Sequence, residues 1–585
     1  MNILGINAYH GDVSAALFCD GVLVAAVEEE RFRRIKHVAG FPEQAIRACL
    51  AIADLSGRDV HHVAVSRRPR AHLWRKALFA LRHRPGRDLV ANRASNYRRV
   101  GEIPQAVASA LDLAPGQPRP AIHWVEHHPA HLASTFFVSP FESAAVCAID
   151  GFGDFVSTSW AEGRDRTLAM RHRTFFPHSL GVFYLALTQY LGFTGFGDEY
   201  KVMGLAPYGT PDLVAPLRQL VRLQPRGAFA LDLSYFDHWK GSAAMTWDDG
   251  EPQVPLVFSP KLETLLGPRR RREDPIEARH QAVAASLQAV FEEAAFHVLR
   301  GVADASRQTS LCLAGGCAMN SVANGKIRRN TPFESVYIQP ASADNGTALG
   351  AAAWVQHQVL GRARRFTMTH AYWGPSFDGA SISASIAARG QDLAAAGCTV
   401  RELDGDEEVC AWTARRLAGG QVVGWFQGRM EWGARALGNR SILADPRRAD
   451  MRDVINARIK LRETFRPFAP SVLEEAVDRY FEDAVADPFM IQVYPVRAEM
   501  RAVLPAVTHV DGSGRLQTVS RAANPLYWAL IRAFEGLTGV PVLLNTSFNE
   551  NEPIVHQPAE ALDCFLRTSM DALVMGRHVI MRNAD

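Results

Sequence analysis

The segment from His127 to His131, which reads HHPAH, carries residue types well suited to binding a metal ion. His127 and His131 are four residues apart, a spacing that puts both imidazoles on one face of a helix. Pro129 requires that helix to begin here, because proline is tolerated in the first turn and not in the interior. Asp150 and Asp344 each follow a predicted strand, so the sequence predicts a site of two histidines and two aspartates.

Ligation by imidazole and carboxylate together favours Fe(II), Mn(II) or Zn(II) over Mg(II), which prefers oxygen ligands and retained water. A structural interpretation of the same residues stays open. In that interpretation Asp150 caps its own turn with Gly151, and His128 and His131 are surface histidines with satisfied hydrogen bonds. The residue types alone do not choose between the two.

Residues 428–470 carry a dense cluster of positive charge. They contain ten Lys/Arg and five Asp/Glu, a local excess of +5, whereas the whole chain carries only +3. The arginines alternate with Gly and Asn rather than with Glu at i+4, which favours binding of a phosphate-like anion over a solvated helix face. Arg515, Asn545 and Ser547 are predicted to add a further cation and small hydrogen-bonding groups.

A second candidate anion site is the segment 196–209, FGDEYKVMGLAPYG, which we predict to be a loop. It contains two acids, three glycines and Lys201, so it could hold phosphate through the ammonium and backbone amides. Segments of this composition are also common as plain loops.

The elements that position these residues begin with a meander of strands. The apolar runs Asn2–Ile6, Ser14–Cys19 and Val22–Val27 are predicted strands. Asp20-Gly21 joins the last two, and this dipeptide favours a type I′ hairpin turn because both central residues need positive φ.

The same pattern recurs from Ser143 to Gly163, where an apolar run is followed by Asp150-Gly151, a short glycine-rich turn containing Gly153 and Asp154, and another strand-like run. Two related meanders indicate an internal duplication of the kind found in α/β nucleotide-binding folds of the actin, sugar-kinase and Hsp70 type.

A long helix is predicted after Gln281, followed by the strands Ser310–Leu313 and Ser335–Gln339. The first strand leads into Gly315-Gly316, which permits close approach of the backbone to a ligand, although such a pair is more often only a turn.

The polar stretch 361–365 reads as a linker, and we place a domain boundary near residue 370. The predicted domains are 1–365 and 370–585. Helices alternating with short apolar strands at 422–426 and 540–545 indicate that the second domain is α/β or α+β.

Length and composition exclude several classes of protein. A chain of 585 residues with 48% hydrophobic and 21% charged residues is a packed globular protein of two or three domains, not one small binding module. The net charge of +3 argues against whole-surface binding to nucleic acid or membrane, and the charged stretch Arg67–Arg99 is interpreted as a solvated helical surface. Eight scattered cysteines and an N-terminus without a signal-peptide pattern predict a cytoplasmic protein.

Ten blocks in order along nearly the whole chain resemble the O-carbamoyltransferase family of nodulation-factor, cephamycin and tobramycin-type or ansamycin antibiotic pathways. The blocks are INAYHGDVSAAL (6–17), EEERFRRIKHVAGFP (28–42), HHPAH (127–131), GDEYKVMGLAPYG (197–209), AGGCAMN (314–320), SADNGTALGAA (342–352), GRMEWGARALGNRSILADPR (428–447), IKLRETFRPFAPSV (459–472), HVDGSGRLQTV (509–519) and LLNTSFNENEPIV (543–555).

This resemblance implies an α/β protein with a duplicated ASKHA (actin, Hsp70 and sugar-kinase-like) N-terminal domain and a YrdC-like C-terminal domain. The C-terminal site is expected to make carbamoyl-adenylate from carbamoyl phosphate and ATP, with Mg²⁺ accompanying the ATP. The N-terminal metal site, expected to hold Fe(II), with Mn or Zn as alternatives, is expected to transfer the carbamoyl group to a hydroxyl of a small natural-product acceptor.

The resemblance also implies roles for individual residues. His10 matches the transfer histidine and Lys36 a nearby basic residue, although His10-Gly11-Asp12 departs from a pattern in which His and Asp are adjacent. The metal ligands are expected to be His127, His131, Asp150 and Asp344. The residues expected to bind nucleotide or carbamoyl-adenylate are Arg435, Lys460, Arg466, Arg515, Asn545, Ser547, Lys201, Gly315, Gly316 and Asn320.

Three other functions remain as alternatives. An ASKHA-type small-molecule kinase fits the meanders and AGGCAMN but leaves the arginine-rich region unexplained. A tRNA threonylcarbamoylation-related enzyme or nucleic-acid binder is disfavoured by the near-neutral charge. An Hsp70-type ATP-gated interaction protein is the non-enzymatic alternative. The sequence is compatible with a monomer or a homodimer and does not identify the acceptor.

Overall fold

The computed structural model describes residues 1–83, 99–240 and 250–582. The chain divides into two compact units, Met1–Met368 and Thr369–Asp585. Both units combine helices with β-sheets, so the predicted α/β class is confirmed.

The strands of the N-terminal unit are β1 (Asn2–Asn7), β2 (Ser14–Cys19), β3 (Val22–Glu28), β4 (Val60–Val65), β5 (Ala121–Trp124), β6 (Ser143–Gly153), β7 (Val156–Arg164), β8 (Thr167–Phe175), β9 (Val221–Leu223), β10 (Phe229–Leu231), β11 (Ser310–Ala314) and β12 (Ser335–Tyr337). Its α-helices are α1 (Glu30–Arg33), α2 (Glu43–Ile52), α3 (Leu73–His83), α4 (Ile103–Ala110), α5 (His127–Phe136), α6 (Leu180–Tyr190), α7 (Glu199–Leu205), α8 (Val214–Leu217), α9 (Pro260–Leu266), α10 (Ala278–Ser306), α11 (Ser321–Asn324), α12 (Ile327–Asn330) and α13 (Gly346–Trp354).

Two five-stranded sheets of the N-terminal unit repeat one topology. The first has the order β3-β2-β1-β4-β5 and the second β8-β7-β6-β11-β12. In each sheet the three strands that come first along the chain form an antiparallel meander. The other two strands run parallel to the first strand of the meander, which is β1 in one sheet and β6 in the other. The predicted duplication is therefore present, and the carboxyl ends of corresponding strands supply corresponding positions for a site.

Turn chemistry explains where the meanders reverse. Asp20 and Gly21 have φ of 50° and 87°, so the predicted pair of positive-φ residues joins β2 to β3. In the second meander the strand runs on through Gly151, and the turn falls at Asp154 and Phe155, with φ of 48° and 76°. The predicted glycine-rich turn containing Gly153 and Asp154 is therefore confirmed at Asp154, whereas Asp150 and Gly151 lie within the bulged strand β6.

Close packing of helix α13 against α5 and β1 fixes the loop before α13. A Cβ atom at Gly350 would overlap the carbonyl of Ala130 in α5, and one at Gly5 would overlap the carbonyl of Ala348. Glycine at both positions lets the helix lie directly on its neighbours. The long helix α10 packs against α6, α7 and β6. By length and composition α10 is apolar enough to cross a membrane, but 72% of its apolar window is buried inside the protein, as in a core helix.

Two further predictions concern segments of the N-terminal unit. The segment 196–209 is not a loop, because Val202, Met203 and Leu205 are buried and form α7, which packs on α10. The stretch Arg67–Arg99 is predicted as a solvated helical surface. Its residues 84–98 lie outside the described residues. Its described part contains the surface helix α3, which has no buried residue and exposes large apolar side chains as well as Arg82.

The C-terminal unit contains the strands β13 (Cys398–Glu402), β14 (Val423–Phe426), β15 (Arg440–Ala444), β16 (Ala469–Leu473), β17 (Gln492–Pro495), β18 (Ser513–Val519), β19 (Val542–Ser547), β20 (Ala572–Met575) and β21 (His578–Arg582). Its α-helices are α14 (Gly379–Ala388), α15 (Gly390–Ala395), α16 (Asp406–Ala418), α17 (Met451–Ile455), α18 (Val477–Tyr480), α19 (Pro525–Thr538) and α20 (Pro558–Arg567).

One mixed sheet of nine strands organises this unit, in the order β13-β21-β20-β14-β15-β19-β16-β18-β17. Successive residues of its central strands enter opposite cores: Ile442 and Leu544 pack on one face, Leu443 and Leu543 on the other. Burial of both faces explains why these strands read as continuous apolar runs. Polar groups at the strand ends are the candidates for a site.

We expect Gly350→Ala to lower stability by about 1–3 kcal/mol, because its methyl group overlaps the backbone of α5. Gly536→Ala is the matched control: Gly536 is an exposed residue of α19 with nothing near its Cβ position, so alanine should stabilise by about 0.5–1 kcal/mol. Thermal and urea denaturation measure both. Equal stability of the two variants would contradict the close approach of α13 to α5.

Candidate functional site

Four side chains that the sequence places far apart meet in the N-terminal unit. His127 and His131 lie on successive turns of α5, which begins at this segment with Pro129 in its first turn, as predicted. Asp150 lies near the end of β6, and Asp344 lies in the loop between β12 and α13. All four are buried, and their ligand atoms lie within 4.8 Å of one another.

The spacing of these four ligand atoms fits one metal ion. His127 Nε2 and His131 Nε2 are 2.9 Å apart, and each lies 3.3 Å from Asp344 Oδ1. Asp150 Oδ2 lies 3.4 Å from His127 Nε2 and 3.8 Å from His131 Nε2. Atoms bound at about 2.1 Å to one ion lie about 3.0–3.4 Å apart, so the set needs little adjustment.

Electrostatics also favour a cation at this point. Burial raises the pKa of Asp344, but His10 and hydrogen bonds from His127 and His131 hold it well below the usual range. Burial likewise opposes ionisation of Asp150, whose pKa falls to about 2 beside the same histidines. Two buried carboxylates therefore stay charged at neutral pH and require positive charge close by.

Backbone groups hold the ligands in place. The Gly316 N–H donates to Asp150 Oδ1 over 2.8 Å, which leaves Oδ2 directed at the histidines. Asp154 Oδ2 accepts the His127 N–H at the start of α5 over 3.0 Å. A Cβ at Gly153 would overlap the His127 ring, so only glycine admits the imidazole here.

His10, in the turn after β1, adjoins this quartet. Its Nδ1 lies 2.6 Å from Asp344 Oδ2, and its ring centroid lies 5.1 Å from that of His127. Asp344 thus contacts His10 through one oxygen and the metal-ligand histidines through the other. This carboxylate can orient His10 for proton transfer, as a carboxylate does for histidine in catalytic triads.

Lys36, predicted beside His10, is exposed, whereas its neighbour His37 turns inward. His37 Nδ1 lies 2.7 Å from Asp12 Oδ1, and its backbone N–H donates to Glu30 Oε2. Burial lowers the pKa of His37, but Asp12 raises it to about 9, so it is a cation at neutral pH. Sequence reasoning missed this group, because the Lys-His pair does not reveal which side chain faces inward.

The GDEYK segment lies against His37 rather than in an open phosphate loop. The rings of Phe196 and His37 contact edge to face at 5.4 Å. Lys201, on α7, lies 2.7 Å from Asp198 Oδ1. The predicted phosphate contact of Lys201 thus competes with this ion pair.

The other predicted N-terminal ligand residues follow β11. Gly315 has a φ of 91°, and a Cβ there would overlap the carbonyl of Ile149, so this turn needs glycine. Asn320 caps α11 and exchanges two hydrogen bonds of 3.0 Å with Gln288. Its amide is engaged by the protein on both sides, and the structure therefore gives Asn320 a structural position.

The histidines of the HHPAH segment differ in their roles. His128 and His131 are buried, so neither is a surface histidine. His128 binds Ser159 Oγ and the Val156 carbonyl at 2.9 Å and 3.0 Å, and burial lowers its pKa well below the usual range. Among the three histidines His128 is the structural one.

A cluster of guanidinium groups forms the candidate site of the C-terminal unit. Arg515, on β18, is half-buried, and the positive charges of Arg435, Arg462 and Arg466 help to lower its pKa. Burial is the largest cause, and the pKa of Arg515 lies well below the usual range, with Asp487 alone opposing. Arg515 Nε is buried and has no hydrogen-bond partner among the described residues. Four converging guanidiniums create a site for a multivalent anion.

Other arginines of residues 428–470 are engaged elsewhere in the protein. Buried Arg440 donates to the carbonyls of Gln427, Gly428 and Asn439. Arg447 pairs with Asp445 and Arg448 with Asp450, each at 2.7 Å. Composition could not separate arginines with acids two residues away from those that face a ligand.

Glu431 shapes the loop that presents Arg435. Its Oε1 accepts the backbone N–H groups of Leu437, Asn439 and Arg440 at 2.7 Å, 2.8 Å and 3.1 Å. One buried carboxylate thereby closes the loop between β14 and β15 and fixes its curvature.

Lys460 supports the site from behind. Its buried Nζ donates to Asn549 Oδ1 and to the carbonyl of Asn549, both at 2.7 Å, and to the Ser547 carbonyl. An ammonium has three protons, so these protein acceptors occupy its donors. The geometry makes Lys460 a positioning residue for the end of β19, rather than the predicted direct ligand.

Ser547 and Asn545 end that strand. Ser547 Oγ donates to Asn549 Oδ1 over 2.7 Å. Asn545 Nδ2 donates to Gln517 Oε1 and Ser471 Oγ, while its Oδ1 is buried with no partner among the described residues. The Asn545 side-chain oxygen is therefore a buried acceptor to which no described group donates.

Two family models match the chain. The model described as "Carbamoyltransferase N-terminus" matches residues 2–353, and the one described as "Carbamoyltransferase C-terminus" matches residues 414–582. The first contains the metal quartet and His10, and the second contains all four clustered arginines.

Curated relatives match over most of their length. Nodulation protein NolNO of Sinorhizobium fredii is 40% identical, with 98% of this chain and 80% of the relative covered. Nodulation protein NolO of Bradyrhizobium diazoefficiens is 42% identical, with 78% of this chain and 79% of the relative covered.

Solved structures are more distant. HypF of T. kodakarensis is 15% identical with a TM-score of 0.33, covering 62% of this chain and 48% of that chain. This chain therefore spans about half the length of that protein. A ROK hexokinase of Thermus thermophilus is 12% identical with a TM-score of 0.27, covering 60% of this chain and 97% of that chain.

We expect His127→Ala/His131→Ala to lose the bound transition metal, because two of four ligands are removed. The matched control is His62→Ala/His123→Ala, a histidine pair with a 3.0 Å nitrogen contact that belongs to no group with metal-ligand spacing among the described residues. Elemental analysis after metal loading measures both. Metal content equal to that of the wild type in the first variant would rule out this ligand set.

We expect Lys460→Ala to lower the free energy of unfolding by about 2–4 kcal/mol, because buried acceptors of Ser547 and Asn549 lose a charged donor. Arg458→Ala, two residues away and exposed, should change it by no more than about 0.5 kcal/mol. Urea denaturation compares them. If Lys460→Ala unfolds like the wild type yet loses ligand binding, Lys460 is a direct ligand after all.

Proposed function

Since this chain belongs to the carbamoyltransferase family, we propose that it is an ATP-dependent O-carbamoyltransferase with two reaction centres. The C-terminal unit makes carbamoyl-adenylate from carbamoyl phosphate and ATP. The N-terminal unit transfers the carbamoyl group to a hydroxyl of a small-molecule acceptor.

The observation that carries this proposal is the electrostatic effect of Arg435, Arg462 and Arg466 on half-buried Arg515, whose Nε has no hydrogen-bond partner among the described residues. Asp487 opposes the positive charge at Arg515, and Glu463 lies 3.6 Å from Arg466, so four arginines face two acids and the excess positive charge favours a bound anion. Carbamoyl phosphate and the triphosphate of ATP together supply several negative charges. A kinase of the ASKHA type would have no use for such a cluster outside its duplicated domain.

Adenylation requires hydrolysis of carbamoyl phosphate before the attack on ATP. Water releases phosphate from carbamoyl phosphate, and the resulting carbamate oxygen attacks the α-phosphorus of ATP. The bond from that phosphorus to the bridging oxygen breaks, and pyrophosphate leaves with the electron pair. The guanidiniums neutralise charge on the leaving phosphate and pyrophosphate, which is the largest contribution a protein makes to phosphoryl transfer.

The transfer step joins an acceptor hydroxyl to the carbamoyl carbon. The hydroxyl oxygen attacks, the bond from the carbon to the AMP oxygen breaks, and AMP leaves. His10 takes the hydroxyl proton, while Asp344, 2.6 Å from His10 Nδ1, orients the ring and stabilises the imidazolium.

His127, His131, Asp150 and Asp344 would hold a divalent transition metal, for which we propose Fe(II). Such an ion supplies a Lewis acid that polarises the carbamoyl oxygen or orients a phosphate group. His37, held as a cation by Asp12 and Glu30, adds positive charge to the same unit.

We expect His10→Asn to slow carbamoyl transfer by about 10²–10⁴-fold while first-turnover pyrophosphate release stays within a few-fold of wild type. Arg466→Ala should do the reverse and abolish pyrophosphate release, because one of the four clustered guanidiniums is lost. Both half-reactions are measured on each variant by pyrophosphate detection and by mass spectrometry of the acceptor.

Arg448→Ala is the control for charge, since Arg448 lies in the same arginine-rich region but is exposed and paired with Asp450. It should leave both half-reactions unchanged. A parallel fall of both half-reactions in His10→Asn would contradict two separate centres. Pyrophosphate release at the wild-type rate in Arg466→Ala would remove the arginine cluster from adenylation.

A further inference from the structure

Helix α3 presents its apolar side to solvent. Its sequence, LWRKALFALRH, is strongly amphipathic, yet none of its residues is buried. Amphipathic helices on globular proteins normally turn the apolar stripe toward the core.

The outward stripe is continuous along the helix. Leu73, Trp74, Leu78 and Leu81 expose 56%, 63%, 56% and 78% of their surface. At 100° per residue these four side chains and Ala77 occupy one arc of about 140°. We call this arc the outward stripe.

The opposite side of α3 is attached to the protein through aromatic contacts. The ring of Phe79 lies 5.9 Å from Phe155 and 4.9 Å from Phe176, both edge to face. The Arg75 guanidinium lies over the ring of Phe175 at 3.9 Å. These contacts fix which side of the helix faces out, so exposure of the stripe follows from a packed arrangement.

The exposed patch is concentrated. The described residues include thirteen large hydrophobic side chains with exposed surface, and four of them lie within nine residues on α3. The other nine are scattered over both units. Single exposed leucines are ordinary, whereas a contiguous apolar patch marks an interaction surface.

Positive charge borders the stripe on both sides. On the helical wheel Arg75 and Arg82 follow one edge and Lys76 lies beyond the other. Residues 67–83 contain six Lys/Arg and no Asp/Glu, so the rest of the chain is net negative by three charges. The charge of +3 for the whole chain hides this local imbalance.

We propose that α3 is an interfacial helix that docks the N-terminal unit on an anionic lipid surface. The outward stripe inserts between headgroups, and the bordering Arg82 and Lys76 contact lipid phosphates, an arrangement typical of helices that lie in the membrane plane. Trp74 suits the interface, where indoles concentrate. A second copy of the chain fits less well, because it would bring six more positive charges to the same surface.

A short series of contacts connects α3 to the predicted metal ligands. Phe155, which contacts Phe79, follows Asp154, and Asp154 accepts the backbone N–H groups of His127 and Arg68. The helix is thus joined through one short turn to the start of α5. A membrane-bound enzyme would hold its transfer centre near the lipid surface.

The test uses the full chain with vesicles of phosphatidylglycerol and phosphatidylcholine, and with vesicles of phosphatidylcholine alone. We expect cosedimentation with the anionic vesicles, weakened by high salt. Leu78→Ser/Leu81→Ser should weaken it at least about tenfold. Because both leucines are exposed, thermal denaturation should be unchanged in this variant.

Leu223→Ser/Leu537→Ser is the matched control, since both residues are exposed leucines that lie apart from α3. This variant should bind vesicles like the wild type. Trp74→Phe tests insertion directly. Brominated lipid should quench the tryptophan fluorescence of this variant less than that of the wild type, because Trp74 is missing. Equal quenching of the two proteins would mean that Trp74 does not enter the bilayer.

Three results would overturn the proposal. The first is no binding to anionic vesicles, or equal binding by Leu78→Ser/Leu81→Ser. The second is a dimer in light scattering that the same substitutions dissociate, which would assign the stripe to a second copy. The third is equal quenching of tryptophan fluorescence by acrylamide in the lipid-free wild type and in Trp74→Phe. That result would mean that the chain itself covers the outward stripe.

Discussion

Two buried carboxylates, Asp150 and Asp344, set the electrostatic constraint around which the N-terminal unit is built. Charged carboxylates inside a protein are stable only beside compensating positive charge. Here that charge comes from the imidazoles of α5 and from the metal ion that the four residues can bind together. Asp344 also contacts His10, so the same carboxylate fixes the position of that imidazole. The duplicated sheets, the bulge in β6 and the close contact of α13 with α5 all serve to bring these groups within a few ångströms.

The C-terminal unit contains the opposite arrangement, an excess of half-buried positive charge. Arg515 lies among other guanidiniums, and its buried neighbour Asp487 already accepts three backbone N–H groups. Burial raises the pKa of Asp487 to about 7, so this carboxyl is a weak counter-ion at neutral pH. The two units therefore suit ligands of opposite sign, a cation in one and polyanions in the other.

Local chemistry made part of this predictable. Asp20-Gly21 fixed a hairpin because its turn has a sequence requirement, and His127 with His131 fixed a helix face by spacing. Inward or outward orientation was not predictable where neighbours are chemically alike, as for Lys36 and His37. The partners of Lys460 lie at Ser547 and Asn549, almost ninety residues away, and such contacts leave no trace in a local pattern. Composition likewise did not indicate that α3 would pack on the protein through its single phenylalanine, Phe79, rather than through its leucines.

The order of the metal ligands along the chain has a consequence for biosynthesis. His131 leaves the ribosome 213 residues before Asp344, which at about 5–20 residues per second is a delay of roughly 10–40 s. Until Asp344 emerges, a nascent chain offers at most three of the four ligands, and the loop holding the fourth is tied to the first meander through Ser14 and Glu28. The complete site thus forms only when both halves of the duplication have been made and have packed together, so an unfinished chain is a poor trap for the wrong metal.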